Sequence, residues 1–87
     1  MKTLRIFTLR NCPYCKQALS YIDELTETNE MYKGIKLEII DEKEQKELAD
    51  SYDYYYVPSF YYKEKKLSEG AVTMEKVQTL LNYVSEN

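Results

Sequence analysis

Histidine and tryptophan are absent from this 87-residue sequence, and cysteine, proline and glycine occur only twice each. Without histidine there is no cysteine–histidine catalytic pair. A tetrahedral zinc site needs about four ligands, so here it would require two chains or help from carboxylates. With two glycines there is no glycine-rich phosphate loop, and no repeat, low-complexity tract or linker divides the chain. One domain spanning 1–87 is expected, large enough to bury a single core. Long apolar runs are missing too. The start, "MKTLRIFTLRNC", holds no apolar stretch longer than two residues and carries Lys2, Arg5 and Arg10. That excludes the core of a signal peptide or a membrane span and makes the cytoplasm the expected location.

Basic charge is short as well: 12 Lys and Arg face 15 Asp and Glu, a formal net charge of −3. A nonspecific grip on nucleic acid or anionic lipid needs a basic footprint, so neither nucleic acid nor membrane is an expected partner. Residues 1–22 nevertheless hold Lys2, Arg5, Arg10 and Lys16 and no acid, so Cys12 and Cys15 lie in the one cationic stretch of an acidic chain. That charge either stabilises a thiolate or meets an anionic substrate, or it is an ordinary uneven surface.

The remaining pattern is α/β. "TLRIFT", residues 3–8, reads as a strand. From Pro13, Cys15, Ala18, Leu19, Ile22 and Leu25 recur at helical spacing as far as Thr28. "GIKLEII", 34–40, alternates Ile35, Leu37 and Ile39 as a second strand, completing β-α-β. A charged stretch from Asp41 to Asp53, with Leu48, Ala49 and Tyr52 as apolar contacts, reads as a short solvated helix. "SFYY", 59–62, and "KKLSEG", 65–70, form a hairpin. Thr73 caps a last helix, Glu75 favours its first turn, and Val77, Leu80, Leu81 and Val84 form its buried stripe. The expected order β-α-β-α-β-β-α makes one mixed sheet with helices on its faces.

"RNCPYCKQALSYI", 10–22, places chemistry on this frame. With Pro13 at the first helical position, Cys12 becomes the N-cap, facing the unpaired backbone N–H groups of Tyr14 and Cys15 and the positive end of the helix dipole. A thiolate gains from both and a neutral thiol gains little, so Cys12 is the expected nucleophile and leaving group. Cys15, one turn on and on the apolar stripe, is placed to resolve a mixed disulfide at Cys12. Lys16 and Arg10 either support the thiolate or are plain surface charges. A static disulfide conflicts with a reducing compartment, and a pair of inert core thiols leaves Pro13 unexplained.

"YDYYYVPSFYY", 52–62, holds six of the ten tyrosines around Pro58. Pro58 is either a turn proline among packed tyrosines, or it follows a cis peptide that leaves the Val57 backbone open to pair with a substrate strand. Tyr54, Tyr55 and Tyr56 are too many consecutive aromatics to be buried together, so at least one is expected to face solvent or a partner.

Taken together, "NCPYCK" after a first strand, "VP" 46 residues beyond Cys12 and just before a strand, and a glycine near a hairpin end followed by a last helix resemble glutaredoxin, over essentially the whole chain. The resemblance implies the thioredoxin fold, with a four-stranded mixed sheet and three helices, a nucleophilic Cys12, a resolving Cys15 and a cis Pro58. It further implies substrate contacts at Arg10, Pro13, Tyr14, Val57, Pro58, Gly70 and Thr73. No cofactor is expected to be tightly bound and no metal is expected. Glutathione is the co-substrate that the resemblance suggests, and disulfide-containing proteins or glutathione mixed disulfides are the expected partners of a monomer. Glutaredoxins commonly carry a lysine or arginine three residues before the first cysteine, T-V-P, and paired glycines before the last helix. Here those places hold Leu9, Tyr56-Val57-Pro58 and Glu69-Gly70, and Glu69 is expected to repel anionic glutathione. The alternatives are a thioredoxin-like electron carrier reduced by a flavoprotein reductase, or a non-enzymatic redox sensor. Against thioredoxin stand Ile6 and Asn11, where thioredoxins usually place a buried aspartate and a tryptophan-containing approach to C-G-P-C.

Overall fold

The computed structural model describes residues 2–87. Along the chain it forms β1 (Lys2–Thr8), α1 (Pro13–Thr28), a single 3-10 turn (Glu30–Tyr32), β2 (Ile35–Asp41), α2 (Lys46–Asp50), β3 (Ser59–Tyr62), β4 (Lys65–Glu69) and α3 (Met74–Glu86). The four strands make one sheet in the order β2-β1-β3-β4. β1 runs parallel to β2, with Leu4 opposite Leu37 and Ile6 opposite Ile39. β3 is antiparallel to both β1 and β4. This is the thioredoxin fold that the β-α-β-α-β-β-α order anticipates. Among the described residues no helix is long and apolar enough to cross a membrane.

Both faces of the central strands are covered, which is why β1 buries Leu4, Ile6, Phe7 and Thr8 rather than alternating cleanly. On one face Leu4, Ile6, Phe60 and Tyr62 pack under the apolar stripes of α1 (Ala18, Ile22, Leu25) and α3 (Val77, Leu80, Leu81, Val84). On the other, Phe7, Ile40 and Tyr61 meet Ala49 of α2. Side chains on a strand alternate between faces, so Phe7 and Ile6 serve different layers.

Two sequence expectations change, and one buried residue carried no signal. β2 is an edge strand, and Ile39, expected inside, is 50% exposed, while its neighbour Ile40 is buried against α2. The second helix is five residues long rather than spanning Asp41 to Asp53. Asp41 explains the delay: its carboxylate accepts the N–H groups of Lys43 (2.9 Å) and Glu44 (3.3 Å), which holds 42–45 as turn. Tyr32, with no periodic signal around it, is buried in the 3-10 turn and hydrogen-bonded to Asn82 of α3.

Candidate functional site

α1 begins at Pro13, and Cys12 is its N-cap in an extended conformation, φ −94° and ψ 111°. The Cys12 Sγ accepts the backbone N–H of Cys15 at 3.2 Å, whereas no bond from Tyr14 N–H to that sulfur forms among the described residues. Entry into this cap is set by Asn11, which sits at φ 65°, a left-handed conformation that asparagine tolerates better than most residues. Cys12 is partly exposed and Cys15 buried, at 3% exposure, and both are free thiols. The two thiols therefore differ by one turn of helix and by their access to water. Burial pushes the Cys15 thiol up to about 12, with a hydrogen bond to Cys12 adding to the rise and the negative charges of Cys12 and Glu42 contributing further. Tyr14, between them, is 58% exposed.

Asp41, the last residue of β2, and Glu42 beside it hold the approach to this cap. Asp41 accepts the Arg10 N–H at 3.1 Å, and the Glu42 N–H donates to the Thr8 carbonyl at 2.9 Å. Together these bonds tie the segment leading to Cys12 to the β2–α2 turn. The N–H of Lys43, then that of Glu44, hold Asp41 below the usual carboxylate range despite its partial desolvation, and Arg10 helps. Glu42 also accepts the Tyr54 hydroxyl at 2.8 Å, and Tyr54 stacks on Phe7 with ring centroids 5.0 Å apart. Two of the four positive charges expected around the cysteines are paired: Arg5 with Glu38, and Arg10 with Glu44 at 2.8 Å. Arg10 thus approaches the site through its backbone, with its guanidinium committed elsewhere. Lys16 has no ion pair among the described residues.

The antiparallel pairing of Phe7 with Ser59 brings the start of β3 to the end of β1 that leads to Cys12. The Val57–Pro58 peptide bond is cis and Pro58 is buried. The N–H and carbonyl of Val57 have no hydrogen-bond partner among the described residues. Tyr55 and Tyr56 point outward, at 86% and 70% exposure, while Tyr54 is half-buried. Gly70, at φ 87°, donates its N–H to the Pro58 carbonyl at 2.8 Å, a backbone shape that suits glycine. Thr73 caps α3 through the Lys76 N–H at 3.1 Å. Thr73 is thereby a structural cap of α3.

The Glu69 carboxylate, expected to repel anionic glutathione, is engaged within the fold. Its carboxylate accepts the N–H groups of Tyr55 (2.6 Å) and Tyr56 (2.9 Å) and pairs with Lys66 at 2.6 Å. Lys66 first, then the two backbone donors, hold Glu69 down to about 2. Sequence reasoning missed Asp41, Glu42 and the anchoring role of Glu69. Asp41, at the close of an apolar strand, was the only one with a local signal, since aspartate there favours a turn.

A family model described as Thioredoxin domain matches residues 2–82. The chain superposes on a malarial protein with a TM-score of 0.73 at 17% identity, covering 95% of this chain and 96% of that one. A mutant thioredoxin from Halobacterium salinarum gives a TM-score of 0.72 at 20% identity, with 99% and 76% covered. The germline-specific thioredoxin Deadhead from Drosophila melanogaster gives 0.68 at 19%, with 94% and 79% covered. No curated protein matches the sequence. The structural likenesses establish the fold, and the family match corrects the glutaredoxin resemblance together with the glutathione-linked function drawn from it. C-P-Y-C and V-P misled because they report a helix-capped dithiol beside a cis proline, an arrangement compatible with either reductant. The discriminating positions were Leu9, Tyr56 and Glu69, and the structure uses Glu69 to fasten its own loop.

Proposed function

This chain belongs to the thioredoxin-domain family, and from that premise we propose that it is a dithiol–disulfide oxidoreductase of thioredoxin type, reducing polypeptide disulfides with electrons from a flavoprotein reductase. One observation carries the reading. Two thiols three residues apart are held in unlike states, Cys12 at an accessible helix N-cap receiving an N–H, and Cys15 buried with its proton retained up to about 12. Such an asymmetry separates an attacking from a resolving thiol.

The Cys12 thiolate attacks one sulfur of the substrate disulfide. A Cys12–substrate S–S bond forms as the substrate's own S–S bond breaks, and the departing sulfur takes up a proton. Cys15 then gives up its proton and attacks the Cys12 sulfur, closing the Cys12–Cys15 disulfide and releasing the second substrate thiol. The substrate gains two electrons, both from the cysteine pair, and two protons, one from Cys15 and one from solvent. Capture of Cys12 in the mixed disulfide removes the Cys12 charge that helps hold the proton on Cys15, so the first step eases the second. Val57, with its backbone N–H and carbonyl unpaired, is the proposed docking edge for the substrate strand, flanked by Pro58 and Gly70, with Tyr14 beside the nucleophile. A reducing cytoplasmic setting is part of the proposal and rests on the two-thiol inventory.

The test is NADPH consumption with insulin as the disulfide substrate, coupled either to thioredoxin reductase or to glutathione with glutathione reductase, beside an arm driven by dithiothreitol. Turnover with thioredoxin reductase that requires both Cys12 and Cys15 is the expected result. Turnover carried by glutathione and surviving Cys15→Ser would contradict it, as would failure to reduce insulin even with dithiothreitol.

A further inference from the structure

The segment between α2 and β3 is anchored in the core by Tyr54, Val57 and Pro58, but not at the two tyrosines between them. Residues 53–58 carry no helix or strand, and the rings of Tyr55 and Tyr56 lie in solvent. The backbone around those tyrosines is fixed by polar bonds centred on Glu69 of β4. One oxygen of Glu69 accepts both the Tyr55 and Tyr56 N–H groups, and the other pairs with Lys66. The Lys66 ammonium in turn donates to the Asp53 carbonyl at 3.2 Å. Ser59 Oγ donates to the Tyr56 carbonyl at 2.5 Å, and Gly70 N–H to the Pro58 carbonyl. The backbone on both sides of Val57 is therefore fastened while Val57 itself is left unpaired. Glu69 is the centre of this arrangement: its side chain is only 18% exposed, and Ser59, where the loop enters the sheet, lies opposite it in the register.

We infer that Glu69 is a positioning residue for polypeptide substrates, a carboxylate clasp that presents the Val57 backbone in a fixed place for strand pairing. The inference rests on the proposed docking role of Val57. A polypeptide disulfide must pair with that backbone to bring its sulfur to Cys12, and charge-assisted bonds to a carboxylate are the stronger kind. A small aryl disulfide has no strand to pair and needs only the Cys12 sulfur. The clasp consequently discriminates between substrate classes and leaves the thiol chemistry alone.

The experiment compares wild type, Glu69→Ala and Glu69→Gln, all driven by dithiothreitol, on insulin and on a small aryl disulfide. Amide hydrogen exchange at Tyr55 and Tyr56 is read in parallel. Glu69→Ala is expected to speed exchange at both amides and raise KM for insulin about tenfold, in line with the cost of ordering a loosened loop at binding. Its rate on the aryl disulfide should stay within about twofold of wild type on the same grounds. Glu69→Gln keeps one accepting oxygen and is expected to recover much of the insulin KM. If Glu69→Ala fails to fold, the Gln variant with its exchange rates carries the comparison. Equal loss on both substrates, or faster exchange at Tyr55 and Tyr56 with an unchanged insulin KM, would overturn the clasp while leaving the proposed oxidoreductase standing. A wild type that reduces neither disulfide would overturn both.

Discussion

At the scale of single residues, the molecule separates two chemically identical thiols by placing one at a helix end and the other inside the packing. Their difference is measurable by ultraviolet thiolate absorbance against pH. In Cys12→Ser, Cys15 is expected to ionise below about 12, because the Cys12 charge is gone, yet above the ordinary thiol value, because burial is the largest cause of its rise. Adding Glu42→Gln is expected to lower it further, since the Glu42 charge also pushes it up. An unchanged titration in the double variant would mean that Glu42 does not act on Cys15. The positions of Cys12, Pro13 and Cys15 were legible from sequence because an N-cap, a first-turn proline and a one-turn offset are local matters. The long-range bonds of Asp41, Glu42 and Glu69 were not, because each reaches a group 12 to 31 residues away, and the Glu69 charge suggested only repulsion of an anion.

Individual elements obeyed local rules wherever one residue sets a boundary. α1 starts at Pro13 and α3 follows Thr73, as their capping residues require. Thr73→Ala is expected to cost about 1 kcal/mol in chemical denaturation through loss of the bond to Lys76 N–H. The β3–β4 hairpin turns on Lys63 and Glu64 at φ 49° and 68°, the geometry of a two-residue turn that prefers Asn-Gly. Glu64→Gly is expected to stabilise the protein by about 1 kcal/mol, since a non-glycine residue there carries a left-handed penalty of about that size. A destabilised Glu64→Gly would show that the Glu64 side chain contributes something the backbone does not reveal. β2 and α2 were less legible for physical reasons. An edge strand buries one neighbour and exposes the next whatever their hydrophobicity, so Ile39 and Ile40 look alike in sequence and differ in place. The helical reading of Asp41–Asp53 lost to the turn that Asp41 stabilises.

Over the whole molecule, ionisation confines stability to a middle range of pH. Asp41 and Glu69 are depressed in the folded protein. Their contribution is complete above the unfolded carboxylate value and lost as pH falls, for Glu69 between 4.5 and about 2. In the reduced protein Cys15 retains its proton when folded and loses it more readily when unfolded, so stability falls as pH rises between 9.0 and about 12. Tyr54, raised by burial and then by Glu42, adds to the loss on the alkaline side. Urea midpoints across pH are expected to form a plateau with both shoulders, and Glu69→Gln is expected to flatten the acid one. An acid shoulder unchanged in Glu69→Gln would remove Glu69 from this account.

The fold as a whole was readable because period, caps and the Pro58 punctuation agreed with one another. The reductant was not, because it depends on which surface meets the mixed disulfide. The central claim is that Cys12 attacks and Cys15 resolves. Its most direct measurement is the intact mass of Cys15→Ser and of Cys12→Ser after each is mixed, reduced, with a polypeptide disulfide. A stable mixed disulfide on Cys12 in Cys15→Ser and little adduct in Cys12→Ser are expected. An adduct that forms as readily on Cys15 in Cys12→Ser, or none in either variant, would contradict that claim.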